Sequence, residues 1–222
     1  SSCGKQAREI FNEAQRLLKQ IIAEKRFRLE AVIGLHKAHA EGDDVVVVDD
    51  ATGEHEVDRF CFLRQQRDRQ GLQNLCLSDF IAPKESKITD YLGGFAVVVH
   101  GVEAFAQEFE RQHDDYQSIM VKALGDRFAE ALAEYLHKKV RGLWGYGANE
   151  ELPVDALIRE EYRGIRPAPG YPACPDHTEK GKLWWLLKVK EAIGLSLTES
   201  YAMTPASSVS GFYFAHPDAK YF

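Results

Sequence analysis

Two apolar runs, Ala31-Val32-Ile33-Gly34-Leu35 and Val45-Val46-Val47-Val48, flank the turn cluster Glu41-Gly42-Asp43-Asp44, and Arg59-Phe60-Cys61-Phe62-Leu63 follows the polar Glu54–Glu56 segment. β-Branched and aromatic residues bounded by Gly and Asp read as strands. The connections are too short to hold a crossover helix, so the three strands form an antiparallel meander and not a βαβ unit. Further along, Asp90-Tyr91-Leu92-Gly93-Gly94 leads into Phe95-Ala96-Val97-Val98-Val99-His100-Gly101, the clearest strand of the chain. Gly93-Gly94 precedes a strand, whereas a phosphate loop follows one and opens a helix, and no Walker or dinucleotide fingerprint is present.

Helical periodicity surrounds these strands. Ile10, Phe11, Ala14, Leu17, Leu18, Ile21 and Ile22 make an apolar stripe within residues 5–24. Residues 103–141 read as two helices broken at His113-Asp114-Asp115, the acids suiting a new N-terminus. Asp126, Glu130 and Glu134 share one face of the second helix, either a solvated row or the wall of a cleft. A short helix over 154–162 and another over 178–193, closed by Gly194, complete the set, with Asp176 and Glu179 at capping-box spacing. Leu195–Ser200 and Val209–Phe214 read as strands. The expected fold class is α+β: a mainly antiparallel sheet flanked by helices, in one domain spanning 1–222.

The chain has 222 residues, 45% of them hydrophobic, with 28 Lys+Arg against 34 Asp+Glu for a net charge of −6. That balance gives no nucleic-acid footprint. No apolar run is long enough for a membrane span, and no signal peptide opens the chain. Cys3, Cys61, Cys76 and Cys174 lack paired spacing, which favours free thiols in a cytoplasmic setting. His36 and His39 fall on opposite faces of a strand end, and Cys174 with His177 has no second pair nearby, so no metal site is expected. Nucleophile elbow and dyad spacing are absent, and no catalytic residue is assigned. The chain starts at Ser1 and stops at Tyr221-Phe222 without a polar tail, and both ends read as cut from something longer.

One stretch stands apart: Arg166-Pro167-Ala168-Pro169-Gly170-Tyr171-Pro172-Ala173-Cys174-Pro175-Asp176-His177-Thr178-Glu179-Lys180. Its four prolines rule out a helix or central strand and stiffen the backbone. It is either a pre-shaped ligand surface or an ordinary connection between helices. Arg166 offers a guanidinium fork for a carboxylate, Gly170 permits positive φ or close backbone approach, and Tyr171 offers a ring.

The motif Arg166-x-x-x-Gly170-Tyr171 and its continuation to Lys180 resemble the C-terminal activation domain of cobalamin-dependent methionine synthase. So do Leu77-Ser78-Asp79-Phe80-Ile81-Ala82-Pro83, Asp114-Asp115-Tyr116 through Leu124, Leu197-Thr198-Glu199-Ser200 and Lys220-Tyr221-Phe222, in the same order over nearly the whole chain. The resemblance implies a bent, mainly antiparallel sheet, not a Rossmann methyltransferase. It implies binding of S-adenosylmethionine, whose methyl group reactivates oxidised Co(II) cobalamin. The cobalamin is carried by a partner domain outside this chain, and flavodoxin or a flavoprotein reductase supplies an electron.

The resemblance carries the ligand contacts to Arg166, Ala168, Gly170, Tyr171, Tyr221 and Phe222, and puts Glu130 near them. Arg166 is expected to hold the methionine carboxylate, with backbone groups around Ala168, Gly170 and Tyr171 free to pair with the amino group and the adenine edge. Two features of the family are not found here: an earlier segment that supplies an aspartate to the ligand, and residues beyond the Tyr-Phe pair. The resemblance implies a domain of a methyltransferase, without complete turnover in the absence of the cobalamin domain. The other reading is a docking or regulatory module for the cobalamin domain and flavodoxin that does not bind the donor.

Overall fold

A computed structural model of the chain describes residues 2–66, 71 and 73–222; the side chain of Cys3, and with it the free-thiol expectation there, lies outside that description. Helix α1 (Ser2–Ala23) leads into β1 (Arg28–Glu41), β2 (Asp44–Val48) and β3 (Glu56–Cys61). These three strands pair consecutively and antiparallel, so the meander is present. Strand β4 (Asp90–His100) then returns beside β1, paired from Arg28↔His100 to Ala38↔Asp90. Strand β1 is far longer than its apolar run because residues 28–38 bond β4 while residues 38–41 bond β2. Its polar positions are held by the ladder, not by burial. Asp90-Tyr91-Leu92-Gly93-Gly94, expected as a lead-in, is part of β4 for the same reason.

Helices α2 (Val102–Glu110) and α3 (Asp115–Trp144) follow. The break between them falls where the acids predicted it: Asp114 caps α3, its carboxylate accepting from the Gln117 N–H at 3.1 Å. The short helix expected over 154–162 ends early, as α4 (Val154–Ile158), and Glu160 beyond it has φ 55°. The helix expected over 178–193 is two, α5 (Glu179–Leu187) and α6 (Val189–Ile193), parted at Lys188 with φ 51°. The expected capping box there does not form. Asp176 instead binds the Thr178 N–H and hydroxyl, and Glu179 is drawn to Lys182. Strands β5 (Ser196–Leu197) and β6 (Met203–Thr204) make a small separate hairpin, shorter than the run over 195–200 implied. Strand β7 (Ser208–Tyr213) closes the main sheet, whose order is β3-β2-β1-β4-β7.

The sheet is covered on both faces, and the alternation of β4 shows how. Leu92, Ala96 and Val98 face a core with Phe60, Phe62, Phe212, Leu183 and Leu187, roofed by α5 and α6. Phe95 and Val97 face α3 through Ala133 and Val140, and Val99 faces α1 and α2 through Leu17, Ile21 and Phe105. Helices thus flank an antiparallel sheet, the α+β arrangement expected. Among the described residues no helix is long and apolar enough to cross a membrane.

Candidate ligand-binding cleft

The proline-rich stretch leaves the sheet edge as a stitched-down strap. Ile165 exchanges backbone hydrogen bonds with Phe214, and Pro167 O accepts from the Phe212 N–H at 2.8 Å, so residues 165–167 extend the ladder of β7. The strap then turns on itself. The Gly170 N–H donates to Cys174 O at 2.7 Å, the Tyr171 N–H to Ala168 O at 3.3 Å, and the Cys174 N–H to Tyr171 O at 2.9 Å. Gly170 has φ 102°, a backbone region that L side chains avoid. The donors of Gly170 and Tyr171 are therefore occupied inside the loop and are not the free groups the sequence implied. The reason is local: the prolines remove competing donors, and the remaining ones close the turn. The Ala168 N–H has no partner among the described residues.

Between this strap, the start of β7 and the chain end lies a cavity of about 550 Å³, within the range of small-molecule sites. Arg166, Ala168, Tyr171, Tyr221 and Phe222 line it, and so does Glu130. Gly170 does not line it; it shapes the turn that presents Tyr171. The chain end is tied to the strap, because the Arg166 N–H donates to the Tyr221 hydroxyl at 3.0 Å. Phe222 packs toward Phe80, ring centroids 6.4 Å apart, which places the Leu77–Pro83 segment behind the cleft. Phe95 and Val209 add to the apolar lining, and Glu160 adds a carboxylate. Sequence reasoning missed these three. Phe95 and Val209 look like ordinary strand residues, and Glu160 lies in a segment that reads as helix.

The charge of the cleft centres on Arg166, mostly buried at 16% side-chain exposure. Its Nη2 lies 2.8 Å from Glu134 Oε2 and 3.3 Å from Glu160 Oε1, and its Nη1 donates to the Tyr162 hydroxyl. Burial works against its charge, but Tyr162, Glu134, Tyr221 and Glu160 outweigh that, and its pKa is raised. Arg166 is therefore not an open fork: a ligand carboxylate would share it or displace Glu160, the more exposed of its two acids. Glu134, one of the acidic row, is thus taken up by Arg166 and only partly exposed, without lining the cavity itself.

Behind Arg166 lies a layer of paired and stacked side chains. The Arg141 guanidinium lies 3.7 Å from the centre of the Tyr162 ring and forms a bidentate pair with Glu150 at 2.6 and 2.7 Å. His137, fully buried, stacks on Tyr213 at 4.9 Å, and Tyr213 stacks on Phe95 at 4.7 Å. Burial, with Arg141 and Arg166 close by, pushes His137 down to about 2.

Among the described residues no group of His, Cys, Asp and Glu is arranged to hold a metal ion. Burial pushes the Cys174 thiol up to about 12, and His177 packs against Gly170 and accepts from Lys180, so neither is set up as a ligand.

All of residues 1–222 match the family described as vitamin B12 dependent methionine synthase, activation domain. The chain belongs to that family. Among solved structures, this activation domain is similar to a crystal structure of the MetH reactivation domain bound to AdoHcy. The two are 51% identical with a TM-score of 0.95, and the match covers 100% of this chain and 69% of that one. The fold of the activation domain, an antiparallel sheet between helices, is therefore that of the reactivation domain.

Proposed function

We propose that the cleft binds S-adenosylmethionine and presents its methyl group to oxidised cobalamin held by another domain of methionine synthase, with one electron supplied by flavodoxin or a flavoprotein reductase in the cytoplasm. One observation carries the reading. The Arg166-x-x-x-Gly170-Tyr171 strap and the Tyr221-Phe222 end, far apart in sequence, meet around one cavity of about 550 Å³. The AdoHcy-bound relative, at 51% identity, supports it. The family supports the cobalamin-domain partner.

The chemistry of the lining suits this ligand. The methionine end carries a carboxylate and an ammonium. Arg166 suits the first, and Glu130 and Glu160 suit the second. A sulfonium is a cation, favoured by a carboxylate-lined cleft and by the faces of Tyr171 and Tyr221, each ring contact being worth roughly 0.5–2 kcal/mol. The open Ala168 N–H and the flat Phe222 ring offer an edge and a face to adenine. Cobalamin, when bound by its own domain, supplies the metal centre that accepts the methyl group. The residues of this chain hold the donor, orient its methyl outward and shield it with the strap.

Calorimetric titration of the chain with S-adenosylmethionine tests this. Saturable binding is expected, weakened about tenfold or more by Arg166→Gln, since a hydrogen bond to a charged group contributes about 1.5–3 kcal/mol. A cooperatively folded chain that gives no binding heat contradicts it. A second reading, a docking or regulatory module without donor binding, is favoured by one observation only: Arg166 is already paired with Glu134 and Glu160.

A further inference from the structure

The Leu197-Thr198-Glu199-Ser200 run lies outside the cleft, yet the chain connects it to the ligand strap through two side chains. Residues 198–202 form a tight turn in which the Thr198 N–H donates to Ala202 O and the Tyr201 N–H to Thr198 O, and Tyr201 has φ 61°. The carbonyl of Tyr201 accepts from Lys180 Nζ at 3.1 Å. The same ammonium donates to His177 Nδ1, also at 3.1 Å. Lys180 is only 7% exposed, and neither contact is to a carboxylate. Its neighbour Glu179 is taken by Lys182 at 2.8 Å.

An ammonium has no acceptor capacity, so His177 must offer a lone pair at Nδ1 and carry its proton at Nε2. The imidazole so oriented brings Cε1 closest to Gly170. A Cβ built on Gly170 would fall 2.2 Å from His177 Cε1 and 2.9 Å from each ring nitrogen. The ring fills the space that a side chain at position 170 would need, next to the residue, Tyr171, that lines the cleft.

We propose that His177 is a positioning residue for ligand binding, fixed by the buried Lys180 ammonium and through it by the Thr198–Ala202 turn. It holds the Gly170 turn in the shape that presents Ala168 and Tyr171 to the adenosyl ligand. The inference rests on the proposed function and adds the chain Tyr201 O–Lys180–His177–Gly170 to it. His177 itself is exposed on its outer side, so its replacement leaves the core intact.

The test compares wild type, His177→Ala, His177→Asn and Lys180→Met by titration calorimetry with S-adenosylhomocysteine, with thermal unfolding alongside. Asn keeps an acceptor close to the Nδ1 position, and Ala keeps none. Loss of a charge-assisted hydrogen bond predicts about tenfold weaker binding for His177→Ala and Lys180→Met, and binding within about threefold of wild type for His177→Asn. His177→Ala binding as tightly as wild type overturns the proposal. So does His177→Asn as weak as His177→Ala, which would make the ring a mere filler. If Lys180→Met does not fold, the two His177 variants carry the comparison. Failure of wild type to bind would count against the proposed function instead. Amide exchange at Gly170 and Cys174 would then decide this inference, with faster exchange in His177→Ala than in His177→Asn expected and equal rates overturning it.

Discussion

Gly170 and His137 are the residues whose replacement separates binding from folding. At φ 102°, alanine at position 170 would meet both the left-handed backbone penalty and the His177 ring 2.2 Å from its Cβ. The backbone term is about 1–2 kcal/mol. Because the strap is a surface turn, Gly170→Ala is expected to lower the melting temperature by a few degrees while weakening S-adenosylhomocysteine binding about tenfold. Calorimetry and a melting curve on the same sample check both.

His137 makes the opposite prediction, of stability without direct ligand contact. Its folded-state pKa is lowered from 6.5 to about 2, first by burial and then by Arg141 and Arg166. Between those values the unfolded chain binds a proton that the folded chain refuses. Stability from this residue is therefore whole above the unfolded pKa and is lost as pH falls toward the folded one, by up to about 1.4 kcal/mol per pH unit. Urea unfolding at pH 7 and pH 5 should show a smaller pH dependence for His137→Phe than for wild type. Equal slopes would contradict the assignment.

At the scale of elements, one contact fixes the strap to the sheet and another ties a loop to α3. A Cβ on Gly211 would lie 2.5 Å from Pro167 O, backbone against backbone, because β7 and the strap are hydrogen-bonded side by side. Gly211→Ala is expected to cost about 1–3 kcal/mol and to push the strap off β7, seen as faster amide exchange at Phe212. The Arg141–Glu150 pair anchors the 145–153 loop to α3. Arg141 is fully buried, so Glu150→Ala leaves an unpaired buried cation at a cost of about 3–5 kcal/mol, measurable by urea unfolding.

Much of this layer is legible in sequence. The meander, the α2–α3 break at Asp114 and the strand at Phe95 follow from β-branched and aromatic runs bounded by turn residues and from capping chemistry, both local. What local pattern does not carry is the division of α5 from α6 at Lys188, since the apolar periodicity runs through it. The indole of Trp184 donates to Leu195 O at 2.8 Å, a contact that depends on the tertiary fold. The same holds for Glu179, whose spacing suits a cap but whose carboxylate accepts from Lys182 and from the Cys61 N–H across on β3. In the cleft, Arg166 and Tyr171 are legible from the motif. Phe95, Val209 and Glu160 are not, because only the packing of β4, β7 and the α4 turn brings them there.

At the scale of the molecule, the strap over the edge of β7 and the last two residues act as one device. Tyr221 accepts from the Arg166 N–H, and Phe222 reaches back to Phe80. Deleting Tyr221-Phe222 removes one wall of the cleft and none of the sheet. Such a chain should melt within a few degrees of wild type and bind S-adenosylhomocysteine at least about tenfold more weakly. Unchanged affinity would exclude the chain end from the site.

The central claim is that the cleft between the strap and the chain end is the donor site. A crystal structure of this chain grown with S-adenosylhomocysteine tests it most directly. The account predicts the ligand between Tyr171 and Tyr221-Phe222, its carboxylate about 3 Å from the Arg166 guanidinium. Ligand density elsewhere on the chain, or in the cleft with Arg166 touching only Glu134, Glu160 and Tyr162, would contradict it.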